Sequence, residues 1–235
     1  MRPLPEGAED SEKYRQEQAH YFEEYGSYRG PHHPVVEAFV LPKIELIQRH
    51  VDFSRVGSLL DVGCGNGVFT AHWGKRCPCV GLDLSLAMLS RAQGFPVVQG
   101  DALALPFRPR CFDVAFAANL LHHLPHPLEA LREMARVSRS WVISVEPNAG
   151  NPPMWLFGLL CKPERRLLRF SRGYLRRLFG SAGLPIAYLG STGMVTQNRT
   201  PQWMIPLLRP WDRESLLGAY TIVIARSRTH EDRNT

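Results

Sequence analysis

The chain has no unbroken apolar run approaching the roughly 20 residues that a membrane-spanning helix requires. Its 235 residues are 44% hydrophobic and 21% charged, so a soluble protein is expected. The stretch MRPLPEGAEDSEKYRQEQ is polar and acidic and lacks the apolar core of a secretory signal, which predicts a cytoplasmic location. Cysteine is scarce: Cys64, Cys77, Cys79, Cys111 and Cys161 are odd in number and scattered, without the paired CxxC spacing of a zinc site. Reduced thiols follow. Internal repeats and low-complexity tracts are absent too, which excludes solenoids and arrays.

What is present suits one well-buried domain with insertions, because the chain is too short for two domains of ordinary size. Net charge is +6, and much of it is local. Lys162, Arg165, Arg166, Arg169, Arg172, Arg176 and Arg177 are opposed in that span only by Glu164.

Residues 1–56 read as an N-terminal helical cap. Tyr14, Tyr21, Tyr25 and Tyr28 fall near one helical face, which is either core packing or a lid that closes over a ligand. A second helix follows Pro34 and is expected to bend at Pro42. Residues 57–226 read as the main domain and 227–235 as a polar tail.

After Gly57, short apolar runs alternate with helical stretches. Strands are expected at 58–62, 79–83, 96–99, 112–117 and 140–146, with helices at 68–73, 86–92 and 127–137 between them. Strands that are apolar on nearly every residue imply a parallel sheet covered on both faces, a doubly wound α/β (Rossmann-like) domain. Insertions are expected at 148–168 and 191–217, on either side of a helix that Ser171 starts and Gly183 stops. Two further strands near 185–190 and 219–225 close the sheet.

The chemistry is concentrated in LLDVGCGNG, residues 59–67. Glycines between a strand and a helix bring the main chain close to a ligand, and the free N–H groups at the helix start attract negative charge. Dinucleotides use GxGxxG; S-adenosylmethionine uses an acid followed by GxGxG. The dinucleotide fingerprint fails here, because its third glycine would stand at Val68. Asp61 before Gly63, Gly65 and Gly67 fits the second class. Asp83 ends the next strand, where a carboxylate can accept both hydroxyls of a ribose. Asp101 follows the third strand, where an acid can accept an adenine amine.

Through LLDVGCGNG, VGLDLS, GDALALPF and FDVAFAANLLHHL, in that order, residues 57–147 resemble the class I S-adenosylmethionine-dependent methyltransferases, and within them the small-molecule type 11 group. The resemblance implies a seven-stranded sheet with its last strand antiparallel. It implies S-adenosylmethionine as cofactor and S-adenosylhomocysteine as product. The loop of Asp61, Gly63, Cys64, Gly65 and Gly67 would hold the methionine part, with Asn119 lining that side. Asp83 and Leu84 would hold the ribose, Asp101 and Ala102 the adenine, and Tyr21 would close over the cofactor.

For the transfer itself, His123 or His122 could serve as a general base, or simply pack against the cofactor loop. Glu146 could orient a substrate or a histidine, or cap the turn before Pro147. No metal is implied, since no further ligand stands at a recognisable spacing from Glu146. The basic 162–177 segment reads as a solvated helix face, or as a surface for an anionic, sugar-, nucleotide- or lipid-linked acceptor or for a membrane. Nucleic acid is not expected as a partner. NPPM at 151–154 resembles the DNA amino-methylating tetrad but follows the fifth strand instead of the fourth. The competing readings are a binding scaffold without transfer chemistry and a nicotinamide-dependent oxidoreductase.

Overall fold

Runs that are apolar at successive positions become strands buried on both faces. β1 (Leu59–Val62) is wholly buried, and β2 (Cys79–Asp83), β3 (Val97–Gln99), β4 (Phe112–Ala118), β5 (Ser138–Pro147), β6 (Ile186–Thr192) and β7 (Tyr220–Arg226) follow. The computed structural model describes residues 28–227. The helix expected around Tyr14, Tyr21 and Tyr25, and the lid role of Tyr21, lie outside the described residues.

Among the described residues the sheet has seven strands in the order β3-β2-β1-β4-β5-β7-β6. β1 pairs in parallel with both β2 and β4, so the winding reverses between β1 and β4. There the carboxyl ends of the strands leave a crevice. β7 runs antiparallel to both neighbours, β5 and β6, as expected. Alternate side chains of a strand face opposite ways. Leu59, Val114 and Phe116 thus enter one core, while Leu60, Val62, Ala115 and Ala117 enter the other.

The first core is covered by α1 (Pro34–Gln48), started by Pro34 and by the His33 ring accepting from the Val35 N–H at 3.2 Å. Its Val36, Phe39, Val40, Ile44 and Ile47 are fully buried, each contributing roughly 1.5–3 kcal/mol. The helix continues through Pro42 to Gln48. Lys43 is buried on it, donating to Phe39 O at 2.7 Å and standing 4.6 Å from the Tyr220 ring centre. Burial lowers its pKa to about 7, against the pull of Asp212. α2 (Thr70–Trp73) places Trp73 in the same core, where Phe116→Ala would cost about 3–5 kcal/mol.

The second core is covered by α4 (Pro127–Val137), which buries Ala130, Leu131, Met134 and Val137 along one stripe. α3 (Leu86–Leu89) is shorter than the expected 86–92. Its Ser85 cap accepts from Met88 N–H, and the left-handed Gly94 then turns the chain into β3.

The first insertion is α5 (Pro152–Leu160), capped by Asn151, followed by a 3-10 segment over Lys162–Arg169. Ser171 caps α6 (Arg172–Ser181), and Gly183 turns the chain with φ 71°. The second insertion holds α7 (Ile205–Leu208) between 3-10 turns at Gln202–Met204 and Arg209–Trp211.

Candidate active site

The crevice widens into a cavity of about 660 Å³ whose wall includes Asp61, Gly65, Asp83, Asp101, Asn119 and His123. The glycine loop shapes one end. Gly63, Gly65 and Gly67 have φ of 70°, 55° and 80°, a region that costs other residues roughly 1 kcal/mol or more. The Gly63 and Cys64 N–H groups donate to Leu82 O at 2.7 and 2.9 Å, which ties the loop to β2. Gly63, Cys64 and Gly65 are on the wall, whereas Gly67 is not. A Cβ on Gly67 would meet the Phe95 ring, so this glycine lets the turn pack against that ring. The Cys64 thiol is pushed up by burial and stays neutral.

Asp83 ties the loop to the next strand. Its Oδ2 accepts from Gly65 N–H at 2.8 Å and its Oδ1 from Ser85 N–H at 2.9 Å. Each carboxylate oxygen has a second acceptor site, so a vicinal diol can still be held. Leu84, Asp101 and Ala102 continue the wall, with Asp101 Oδ1 also accepting from Leu103 N–H at 2.9 Å. Asp61 is buried and accepts from Thr70 Oγ1 at 2.6 Å. Burial raises its pKa to about 7, although the Thr70 bond opposes this.

Asn119 supplies the test of cofactor fit. It follows β4 with φ 53°, and its Oδ1 is buried without a hydrogen-bond partner. Leaving such an atom unsatisfied costs about 1–3 kcal/mol. An amino group in the cavity would satisfy it. The wall thus combines an unpaired acceptor, a buried acid, loop amides and a diol-competent carboxylate. That donor and acceptor set fits S-adenosylmethionine.

The other end is built by charge. His122 Nδ1 lies 2.6 Å from Glu146 Oε2 and His122 Nε2 lies 3.3 Å from Glu164 Oε2. Burial opposes protonation of His122, but the two carboxylates overcome it and raise its pKa to about 9. Both nitrogens therefore donate. The His123 ring packs on it with centres 3.9 Å apart. Burial, and then repulsion from the His122 cation, lower the His123 pKa to about 3. Burial would raise Glu164, yet the neighbouring imidazoles outweigh it and hold the carboxyl near about 2.

Glu146 is completely buried and is not on the cavity wall. Instead of facing the ligand edge, it accepts from the N–H groups of Leu121 at 2.9 Å and His122 at 3.4 Å, and so clamps the turn after β4. His126 is exposed off the wall, and His33 is engaged as a helix cap. His122, His123 and Glu164 place donor atoms within 4.8 Å of one another, a grouping that the sequence spacing did not show. With carboxylates on both sides of one imidazolium, its charge is already met within the protein, and we read the grouping as an ion network.

Glu164 is the site residue that sequence reasoning passed over. Its one signal was being the lone acid in a basic run. The fold also adds Met154, Phe157 and Arg199 from the two insertions, and Tyr220 from β7, to the wall.

Residues 60–141 match the sequence model of a family described as a methyltransferase domain. A protein of Encephalitozoon cuniculi named as a methyltransferase is 31% identical over 128 residues, which are 52% of this chain and 55% of that protein. The demethylmenaquinone methyltransferase of Corynebacterium kroppenstedtii is 40% identical over 82 residues, 34% of this chain and 36% of that one. The matches thus span about half or less of these relatives. A crystal structure of an S-adenosylmethionine-dependent methyltransferase from Aquifex aeolicus shares the fold, with TM-score 0.58 and 15% identity over 93% of this chain and 99% of that one. The nicotinamide-dependent reading is given up. Residues 60–141 thus resemble a methyltransferase domain, and the chain shares its seven-stranded fold with solved S-adenosylmethionine-dependent methyltransferases.

Proposed function

We propose that this chain transfers a methyl group from S-adenosylmethionine to oxygen, nitrogen or carbon of a small-molecule acceptor. One observation carries the reading: a single cavity joins the loop of Gly63, Gly65 and Asp83 to the His122–His123–Glu164 network. The cofactor, when bound, supplies a methyl already activated by the sulfonium charge. The protein's task is then to align the acceptor and to exclude water.

Asp83 and Leu84 hold the ribose, Asp101 and Ala102 the adenine, and Asn119 Oδ1 and the Asp61 carboxylate attract the amino group. At the acceptor end, Glu146 and Glu164 fix His122 as a cation, and His122 positions the His123 ring beside it. His123 stays neutral and takes up the proton that a hydroxyl or amine loses as its bond to carbon forms. A weak base is sufficient, because that proton becomes strongly acidic once the heteroatom is alkylated. Met154, Phe157 and Tyr220 give the acceptor region an apolar wall.

Calorimetry with S-adenosylmethionine and S-adenosylhomocysteine, followed by product detection over an acceptor panel, tests the proposal. Heat with both ligands, abolished by Asp83→Ala, is expected. Absence of heat with either ligand sinks the cofactor assignment, and tight binding without turnover on any acceptor favours a scaffold.

A further inference from the structure

Of the twelve large apolar side chains exposed on the described residues, nine lie in the two insertions. α5 presents Trp155, Leu156 and Leu160 outward, the last 75% exposed. The second insertion presents Trp203, Leu207 and Trp211, with both tryptophans about 70% exposed. The inner faces of these segments, Met154 and Phe157 on one and Ile205 and Leu208 on the other, pack against one core. Asn151 Nδ2 donates to Leu217 O at 2.6 Å and fastens the start of α5 to the end of the second insertion. The two insertions also meet where the Arg199 guanidinium lies 4.4 Å from the Phe157 ring centre.

Charge decides what such a face fits. Residues 148–217 contain ten Lys or Arg and three acids. Each acid is engaged within the protein: Glu164 with His122, Glu214 with the Tyr188 hydroxyl at 2.8 Å, and Asp212 with the Met194 N–H and the buried Lys43. Lys162, Arg165, Arg169, Arg209 and Arg213 are exposed in the same two insertions as the apolar residues. Exposed tryptophan and leucine on segments rich in cations match the boundary between anionic headgroups and acyl chains. A second copy docked face to face would bring like-charged segments together.

We propose that this face docks on a bilayer carrying anionic lipid headgroups, and that the acceptor is an amphiphile taken from that bilayer. The second half rests on the methyl-transfer reading above. Pro153, Met154 and Phe157 of α5 and Arg199 of the second insertion also line the cavity. The elements that meet the lipid thus frame the path inward.

The experiment is co-sedimentation of the full chain with phosphatidylcholine vesicles, with and without phosphatidylglycerol, alongside tryptophan quenching by brominated acyl chains. Binding is expected with phosphatidylglycerol, weakened by salt, with quenching of the exposed tryptophans. Trp203→Ser with Leu160→Ser, and separately Arg165→Glu with Arg209→Glu, should each lower vesicle affinity about tenfold or more while leaving S-adenosylhomocysteine affinity unchanged. A folded, cofactor-binding protein that sediments with neither vesicle overturns the proposal. So does a dimer that Trp203→Ser splits without vesicle binding, which gives the face to a second copy. Loss of cofactor heat in the unsubstituted chain instead removes the methyl-transfer reading, and the vesicle result stands apart from it.

Discussion

His122 donates through Nδ1 to Glu146 Oε2 at 2.6 Å, and the same carboxylate accepts from the backbone of the turn that carries His122. One buried acid thereby sets both the position of the ring and its charge. The His122 pKa is raised from 6.5 to about 9. The stability contributed is complete below pH 6.5 and is lost as pH rises through about 9.

Glu146→Gln should destabilise the fold by about 3–5 kcal/mol at pH 7, because it leaves a buried cation short of a partner. Urea unfolding measures this. In the unsubstituted chain, unfolding free energy should fall between pH 6.5 and 9, and His122→Asn should flatten that slope. An unchanged slope would show that His122 is not the titrating group.

His123→Ala should lower kcat about 100-fold or more for an oxygen or nitrogen acceptor, with S-adenosylhomocysteine affinity unchanged. Since the His123 pKa is lowered to about 3, kcat at saturating cofactor should show no acidic limb near 6.5. A limb there, removed by His123→Ala, would contradict the assigned electrostatics.

Asp61 behaves in the opposite sense to an ordinary paired carboxylate. Burial lifts its pKa from 3.8 to about 7, so its contribution to stability is complete below 3.8 and is lost as pH rises through about 7. Asp61→Asn should therefore gain about 1–2 kcal/mol at pH 8 and nothing at pH 4, by thermal unfolding. On the proposed binding mode, in which Asp61 attracts the ligand's amino group, the same substitution should weaken S-adenosylmethionine binding about tenfold. Stabilisation without loss of affinity would remove Asp61 from the ligand contacts.

Gly65→Ala and Gly67→Ala separate ligand approach from turn packing. A Cβ on Gly65 meets only the mobile end of Met88, at 3.1 Å, whereas one on Gly67 runs into the Phe95 ring. Both pay for φ > 0 with about 1 kcal/mol. Gly65→Ala should weaken cofactor binding more than it lowers Tm, and Gly67→Ala should do the reverse. Equal effects in calorimetry and melting would refute the division.

The amino-acid order alone determined the parts of this protein that local chemistry governs. Apolar runs of strand length predicted all seven strands, and Ser85, Ser171 and Gly183 marked helix ends because capping and left-handed turns depend on single residues. Asp61, Gly63, Gly65, Asp83 and Asp101 were expected beside one another because they stand in or just after the carboxyl ends of strands, and all five line the cavity. Tertiary structure decided what depends on chain segments far apart in sequence. Glu164 meets His122 across 42 positions, Glu146 turns inward to backbone amides instead of toward the ligand, and Gly67 backs onto Phe95. No periodicity encodes such pairings, because the partners are chosen by packing and by the need to satisfy buried charge. The same reason separates the two histidines: adjacent in sequence, they differ in protonation because Glu146 bonds His122 alone, while Glu164 stands 3.3 Å from His122 and 3.8 Å from His123, whose burial and cationic neighbour keep it neutral.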